Sequence, residues 1–301
     1  MTLLGAIEAG GTKIICAVGT AHDQILKQTR IKTSQPEETM AQVIDFFQKN
    51  IEEFGPLEAM GIASFGPLEL DENSPHYGQI IRTPKVGWSG VDIPAIMQKN
   101  FAVSTGINTD VNAALLGEWK WGAAHGQNSA VYVTIGTGIG MGLMVAGKLV
   151  QGRMHPEAGH MLIPQHTEDQ DFKGNCAFHG NCLSGLAAGP ALEARWGQKA
   201  ETLPTDHMAW EIEADYLAAM CVNLTVMLFP QKIILGGGVM NIPGLLKKIQ
   251  QKFLDKMGGY VAIFDHMDDV ENYIVPKQLQ NPGLSGAFYL AENAPHSALT
   301  T

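Results

Sequence analysis

The sequence predicts an α/β protein of two similar lobes with a cleft between them. A strand hairpin with a glycine-rich turn occurs near the start of the chain and again near its middle, and helices and buried strands follow each copy. Such a repeat indicates a duplicated layout. A length of 301 residues, 45% of them hydrophobic, suits two lobes rather than one.

The elements of the first copy follow from the spacing of apolar residues. Short apolar runs between turn residues predict strands, and apolar residues three and four positions apart predict helices. The predicted strands are residues 3–9, 14–18, 25–32, 59–63 and a strand near 101–107. The predicted helices are residues 36–54 and 110–121.

The second copy repeats this order. The predicted strands are residues 130–135, 139–145 and 232–235, and the predicted helices are 209–228, 243–256 and 283–292. We therefore expect a small N-terminal lobe over residues 1–115 and a large C-terminal lobe over 116–286. The last helix, within residues 287–301, is expected to pack back on the small lobe.

Charge and hydropathy exclude two classes of partner. The formal net charge of −10 argues against nucleic acid. The longest apolar stretch, residues 130–147, carries glycines and threonines that favour two buried strands over a membrane span. No targeting segment is recognisable, so a cytoplasmic location is expected.

The first glycine turn has the composition of a phosphate-binding loop. Gly10 and Gly11 let the backbone approach a ligand closely and free amide donors for anionic oxygens. Thr12 adds a hydroxyl and Lys13 a cation, while Glu8 could hold a Mg²⁺-bound water. A single turn of this kind is more often only a tight turn.

Two further glycine clusters strengthen the phosphate interpretation. The second hairpin turn contains Gly136, Thr137 and Gly138, with the same chemistry as the first turn. A third cluster follows another buried strand and could pass close to the adenosine part of a nucleotide; it consists of Gly236, Gly237 and Gly238. None of the three is a Walker or Rossmann sequence.

Asp110 is the candidate catalytic base. It stands where a predicted strand ends and a helix begins. It could be only the helix N-cap. Alternatively, it accepts a hydroxyl proton late in phosphoryl transfer, a role in which position matters more than basicity.

The segment after the second hairpin carries candidate ligands for a polyol and for a metal. Glu157 and His160 are spaced to converge on adjacent hydroxyls, although a solvated loop is the plainer interpretation. Cys176, His179 and Cys182 have the spacing of zinc ligands. His160 would complete a structural zinc site, and His155 or His166 are alternative fourth ligands.

Together these segments resemble the ROK family of sugar kinases and repressors, within the actin-like ATPase (ribonuclease H-like) superfamily. The matching segments are Glu8–Lys13, Thr109–Ala114, Ile135–Gly140, His155–His160, Cys176–Cys182 and Leu235–Val239. The resemblance implies two lobes, ATP, Mg²⁺, structural Zn²⁺ and a homodimer. It also implies that Asp110 is the base and that Glu157 and His160 contact the sugar.

Departures from the family pattern narrow the expected substrate. Thr109 stands where the glucokinase branch usually has Asn, and Ser184 where that branch has Glu. Residues 64–67 and 83–88 are similar to the fructokinase branch instead, and Trp88 could stack on a sugar face or be a core residue. The expectation is an ATP-dependent fructokinase, with mannokinase or glucokinase as alternatives.

A sugar-sensing repressor is the rival from another class. Repressors of this family carry a DNA-binding module before the first hairpin. Here the hairpin is predicted from residue 3, which leaves no room for that module, and the charge is acidic. A binding-only sensor would also not need Asp110 and two phosphate turns.

Overall fold

The computed structural model describes residues 2–295 as two compact units, each built on a five-stranded sheet. The first unit contains residues 2–122, 151–155 and 279–295, and the second contains residues 123–150 and 156–278. The first unit thus extends past the expected boundary at residue 115. The part of the expected last helix at residues 296–301 lies outside the described residues.

The sheet of the first unit has the order β3-β2-β1-β4-β5. Strand β1 pairs antiparallel with β2 and parallel with β4, and β4 pairs parallel with β5. The strands are β1 (Leu4–Ala9), β2 (Lys13–Ala21), β3 (Gln24–Lys32), β4 (Ala59–Ser64) and β5 (Ser104–Thr109). The helices of this unit are α1 (Pro36–Phe54), α2 (Ile93–Phe101), α3 (Asp110–Trp121) and α9 (Pro282–Glu292).

The second sheet, read from its β8 edge, has the order β8-β7-β6-β9-β10, which corresponds strand by strand to β3-β2-β1-β4-β5 of the first sheet. Its strands are β6 (Ala130–Ile135), β7 (Ile139–Val145), β8 (Lys148–Leu149), β9 (Lys232–Gly236) and β10 (Ile274–Pro276). Its helices are α4 (Leu183–Ala187), α5 (Gly189–Trp196), α6 (Ala209–Leu228), α7 (Leu245–Met257) and α8 (Met267–Tyr273). The duplicated layout expected from the sequence is therefore present.

One strand expectation is partly wrong. The strand expected near residues 101–107 begins only at Ser104, because Phe101 is the last residue of α2. Asp92 caps this helix by accepting a hydrogen bond from the Ala95 amide at 2.8 Å. Ala102 then ends it in the left-handed conformation, with φ of 48°.

Helix α9 packs directly on the first sheet and on α3. The contact is close because small residues line it: a Cβ atom added at Gly61 of β4 would lie 1.7 Å from the Ala287 carbonyl oxygen, and one at Gly286 would lie 1.7 Å from the Ala113 carbonyl oxygen. Any larger side chain would push the helix away. The helix thus completes one of the two apolar layers on this sheet.

The helices give no sign of a membrane-spanning segment. Among residues 2–295, none combines the length and the apolar character that crossing a lipid bilayer would require.

Candidate active site and metal-ligand cluster

The carboxyl ends of three parallel strands meet at one edge of the first sheet. Ala9 of β1 lies opposite Ser64 of β4, and Ser64 lies opposite Thr109 of β5. Since neighbouring strands are about 4.8 Å apart, the ends of β1 and β5 are separated by about 10 Å. The first glycine turn follows β1 and Asp110 follows β5, so the register brings them to the same edge.

The first turn presents unpaired amide groups. The Gly10 amide donates to the Lys13 carbonyl at 2.9 Å, which closes the turn. Among the described residues, the amides of Gly11 and Thr12 have no acceptor, and both residues are exposed. Two successive outward-facing amides are a ready site for an anionic oxygen.

The carbonyl groups of the same turn are held on its other side. Thr33 Oγ1 donates to the Gly10 carbonyl at 2.9 Å, and the Thr33 amide donates to the Thr12 carbonyl at 3.1 Å. Lys85 Nζ donates to the Gly11 carbonyl. The turn is therefore fixed from behind by residues distant in sequence.

Asp110 is the first residue of α3, and the preceding residue caps that helix. Thr109 Oγ1 accepts a hydrogen bond from the Asn112 amide at 3.2 Å, and Thr109 is 3% exposed. Asp110 Oδ1 accepts from the Val111 amide at 2.9 Å. The N-cap role therefore belongs to Thr109, and Asp110 begins the helix as a partly exposed residue.

Glu8 lies at the same edge, one residue before the end of β1. Its carboxylate is close to the start of α9, since a Cβ atom added at Gly283 would be 2.7 Å from Glu8 Oε1. A larger side chain at residue 283 would therefore displace this carboxylate.

The second glycine turn is one residue shorter than the first and likewise presents unpaired amides. The Gly136 amide donates to the Gly138 carbonyl at 2.9 Å. Within the described part of the chain, the amides of Thr137 and Gly138 have no acceptor, and both residues are exposed. From behind, the Gly189 amide donates to the Gly136 carbonyl at 2.8 Å, and the Ile139 amide donates to Ser184 Oγ at 3.2 Å.

The triple glycine lies beside this second turn, because β9 pairs with β6 and places Gly236 opposite Thr134. Gly237 has φ of 92°, and a Cβ atom there would lie 2.2 Å from the Ile135 carbonyl oxygen. These two constraints already require glycine at residue 237. At Gly238 an added Cβ atom would meet open space.

Glu157 precedes a short 3-10 turn in the second unit, Ala158–His160, and His160 is the last residue of that turn. This turn packs against β7, since a Cβ atom at Gly159 would lie 1.7 Å from the Ile139 carbonyl oxygen. Burial of its carboxyl raises the pKa of Glu157 above its usual value, although the residue as a whole keeps an exposed surface. His155 belongs to the first unit, where its Nε2 accepts from the Leu68 amide at 3.1 Å.

Four potential metal ligands come together in the second unit. The ligand atoms of His160, Cys176, His179 and Cys182 all lie within 4.8 Å of one another. His160 Nδ1 is 3.3 Å from His179 Nδ1 and 3.4 Å from Cys182 Sγ. Cys176 Sγ is 3.7 Å from each of the two Nδ1 atoms.

His155 and His166, the alternative fourth ligands, make other hydrogen bonds. His155 Nε2 accepts from the Leu68 amide, and His166 Nδ1 accepts from the Glu168 amide. Desolvation, with the neighbouring His179 as a smaller cause, lowers the pKa of His160. A neutral imidazole is the form that binds metal.

Sequence reasoning missed the residues that support the two turns. Lys85 lies in a segment already identified as similar to one family branch, but its contact is 74 residues away in sequence. Thr33 and Ser184 carried no local signal for a contact with a turn.

Trp88 is fully buried, with its Nε1 donating to the Ser34 carbonyl at 2.9 Å, so it is a core residue and not a residue that stacks on a sugar.

Comparisons with known proteins agree with this architecture. A protein of Bacillus subtilis is 44% identical to this chain over 97% of the chain and 96% of its own length. A fructokinase of Pediococcus pentosaceus is 42% identical over 98% of this chain and 100% of its own. The crystal structure of a ROK hexokinase from Thermus thermophilus superposes with a TM-score of 0.77 at 25% identity, covering 97% of this chain and 98% of that one.

The expected actin-like ATPase fold is thereby confirmed. The sequence pattern of the ROK family matches residues 4–294, nearly the whole chain, and this protein is therefore a member of the ROK family.

Proposed function

We infer that this protein is an ATP-dependent fructokinase, which transfers the γ-phosphoryl group of ATP to the 6-hydroxyl of fructose. The observation that carries the kinase part is the pair of glycine turns with unpaired, exposed amides. The choice of fructose rests on relatives named fructokinase, such as those of Pediococcus pentosaceus and Zymomonas mobilis at 42% and 39% identity.

The chemistry follows from the edge of the first sheet. Asp110 receives the proton of the attacking hydroxyl as the phosphoryl group moves. Gly11, Thr12 and Lys13 are the proposed phosphate ligands of the first unit, and Gly136, Thr137 and Gly138 are those of the second. Backbone amides are suited to this task because they need no reorganisation during the reaction.

Mg²⁺ fits the carboxylates of this edge. Glu8 stands at the same strand end as the first turn, and carboxylate oxygens and water are the ligands that Mg²⁺ prefers. When bound with ATP, the ion would supply positive charge that neutralises phosphate oxygens. Glu8 would hold it through a bound water.

The remaining predicted contacts complete the substrate sites. Thr109, Glu157 and His160 contact the sugar. Gly236, Gly237 and Gly238 pass beside the adenosine part of ATP, adjacent to the second turn. Because His160 uses Nδ1 in the ligand cluster, its Nε2 is the nitrogen that meets the sugar.

Zn²⁺ is the metal that best fits the cluster of two cysteines and two histidines. With zinc bonds of about 2.3 Å to sulfur and about 2.05 Å to nitrogen, a tetrahedron has N–N edges of about 3.3 Å and N–S edges of about 3.6 Å. The measured separations are 3.3 Å for the two nitrogens and 3.4 to 3.7 Å between nitrogen and sulfur. The ion would be structural and would fasten Glu157's segment to residues 173–184.

We further propose that the protein is a cytoplasmic homodimer, with sugar and ATP as its ligands and neither nucleic acid nor membrane as a partner. Light scattering of the purified protein tests the dimer directly. A monomer at micromolar concentration would contradict it.

The decisive experiment is a coupled assay for ADP release with Mg·ATP and a panel of hexoses. We expect kcat/KM for fructose to exceed that for mannose and glucose. A higher value for mannose or glucose would reassign the substrate within the family. Absence of sugar-dependent ADP with every hexose, together with measurable sugar binding, would identify a non-catalytic sensor instead.

A further inference from the structure

The carbonyl of Gly11 is held by a side chain from a distant loop of the first unit. Lys85 Nζ donates to this oxygen across 74 positions of sequence. The other two carbonyls of the turn, those of Gly10 and Thr12, are held by Thr33. Among the described residues, the Gly11 carbonyl is therefore the one carbonyl of this turn that the loop at residues 83–88 holds directly.

Peptide geometry makes this contact consequential. In a planar trans peptide the carbonyl oxygen and the amide hydrogen point in opposite directions. Holding the Gly11 carbonyl toward Lys85 therefore turns the Thr12 amide to the opposite face of the turn. That amide has no acceptor among the described residues and is one of the two assigned above to phosphate.

The loop that carries Lys85 is itself firmly anchored. Trp88 is fully buried, its amide donates to the Lys85 carbonyl at 3.2 Å, and its ring meets Phe65 edge-on at 5.3 Å between centroids. Its indole nitrogen donates to the carbonyl of Ser34, the residue after Thr33. One buried side chain thus joins both supports of the turn.

We propose that Lys85 is a positioning residue for ATP: its ammonium group fixes the Gly11–Thr12 peptide so that the Thr12 amide faces the phosphate. A charged donor on the carbonyl also polarises the peptide and strengthens its amide as a donor. Glycine at residue 11 allows the peptide to rotate, and Lys85 selects one orientation. This inference rests on the proposed binding of ATP at the first turn.

The test is calorimetric titration with Mg·ATP in the absence of sugar, followed by steady-state kinetics. We expect Lys85→Met to weaken Mg·ATP binding about tenfold and to raise KM for ATP similarly. The kcat at saturating ATP and the KM for fructose should change less than threefold. Lys85→Arg should recover most of the affinity, because it keeps a cationic donor.

Lys49→Met is the matched control, since Lys49 is an exposed lysine of α1 that pairs with Asp45. It should bind Mg·ATP as the wild type does. Lys85→Gln, which keeps a donor without the charge, carries the test if the methionine variant does not fold. If the folded methionine or glutamine variant binds Mg·ATP with wild-type affinity, the role of Lys85 is wrong but the proposed function stands. If the wild-type protein binds no Mg·ATP, the proposed function is wrong as well.

Discussion

The two glycine turns present similar pairs of amides and differ in the residues that hold their carbonyl groups. Each closes with an amide-to-carbonyl bond and leaves two exposed amides unpaired within residues 2–295. The first turn is supported by Thr33 and Lys85, and the second by Ser184 and Gly189. The duplicated fold thus supplies the donors twice, while each unit positions them with its own residues.

The strand ends beside the turns differ in chemistry. Strand β5 leads into Asp110, whereas β10, which has the same place in the second sheet, ends at Pro276 and is followed by Lys277. An acceptor for a proton is therefore available at only one of these two positions. The sheets place Asp110 and Lys277 at corresponding strand ends, and of these two residues Asp110 is the one whose side chain can act as a base.

The largest expected effect comes from removing the carboxylate that distinguishes the end of β5 from the end of β10. Asp110→Ala should lower kcat by about 10² to 10⁴, because no acceptor for the hydroxyl proton remains. Mg·ATP binding should persist, since both turns are intact. Asp110→Asn, with the same shape and no charge, should be nearly as impaired, and retention of a tenth of the wild-type kcat in either variant would remove Asp110 from the role of base.

Loss of the proposed zinc ion should affect the second turn more than the first. Cys182 is two residues before Ser184, which accepts a hydrogen bond from the Ile139 amide at 3.2 Å. Cys176→Ser should therefore abolish zinc in elemental analysis and reduce kcat/KM for ATP tenfold or more. Because the rest of the core does not depend on the cluster, the far-ultraviolet circular dichroism should be largely unchanged.

Cys221→Ala is the control for that experiment, since Cys221 is a buried cysteine of the same unit outside the cluster. It should retain one zinc per chain. A Cys176→Ser protein with a full zinc content would show that the cluster is not the metal site.

A smaller effect is expected when only the support of the second turn is changed. Ser184→Ala removes one hydrogen bond, worth about 0.5 to 1.5 kcal/mol, and should raise KM for ATP about two- to tenfold. Ser184→Thr keeps the hydroxyl and should be close to wild type. If the two turns are independently supported, the effects of Ser184→Ala and Lys85→Met should multiply in the double variant.

The helices behind the second turn also contain buried charges. Arg195 Nε of α5 pairs with Asp169 Oδ1 at 2.8 Å, and the Tyr216 hydroxyl of α6 donates to Asp169 Oδ2 at 2.6 Å. Glu213 is fully buried beside them, and neither of its carboxyl oxygens has a hydrogen-bond partner among the described residues. Burial raises the pKa of Glu213 well above its usual value, an effect that Asp169 reinforces and Arg195 opposes.

The smallest effect is therefore a dependence of stability on pH. A carboxyl whose pKa is raised by folding favours the folded state below its unfolded pKa, near 4.3, and loses that contribution as pH rises toward its folded pKa. Glu213→Gln should match the wild type in melting temperature near pH 4 and exceed it increasingly toward neutral pH. A constant difference across that range would mean that folding does not shift the pKa of Glu213.

The helices show which parts of the structure can be predicted from the sequence. Helices α1, α3 and α6 begin and end where predicted, because long periodic apolar faces leave little ambiguity. Helices α2, α4, α5 and α8 were not predicted, since each is short and its stability depends on tertiary packing. The end of α2 was taken as the start of a strand for the same reason.

The residues of the candidate site also fall into a predictable group and an unpredictable group. Motif residues contiguous in sequence, such as those of the two turns, could be identified from composition and spacing. Their supports could not, because Lys85 and Thr33 meet the first turn only after the sheet has formed. The hydroxyl of Thr109 could not be assigned in advance to the N-cap either, since Asp110 beside it is an equally good capping residue.

The packing of α9 has a consequence for the order of synthesis. The helix closes its layer on the first sheet through Gly61 and Gly286, so the unit that contains the first strands is finished by residues 282–292. The second unit needs no residue beyond 278. On the ribosome, where the chain emerges from its N-terminus, the later unit can complete its core first, while the first sheet waits with an uncovered apolar face that chaperones would recognise.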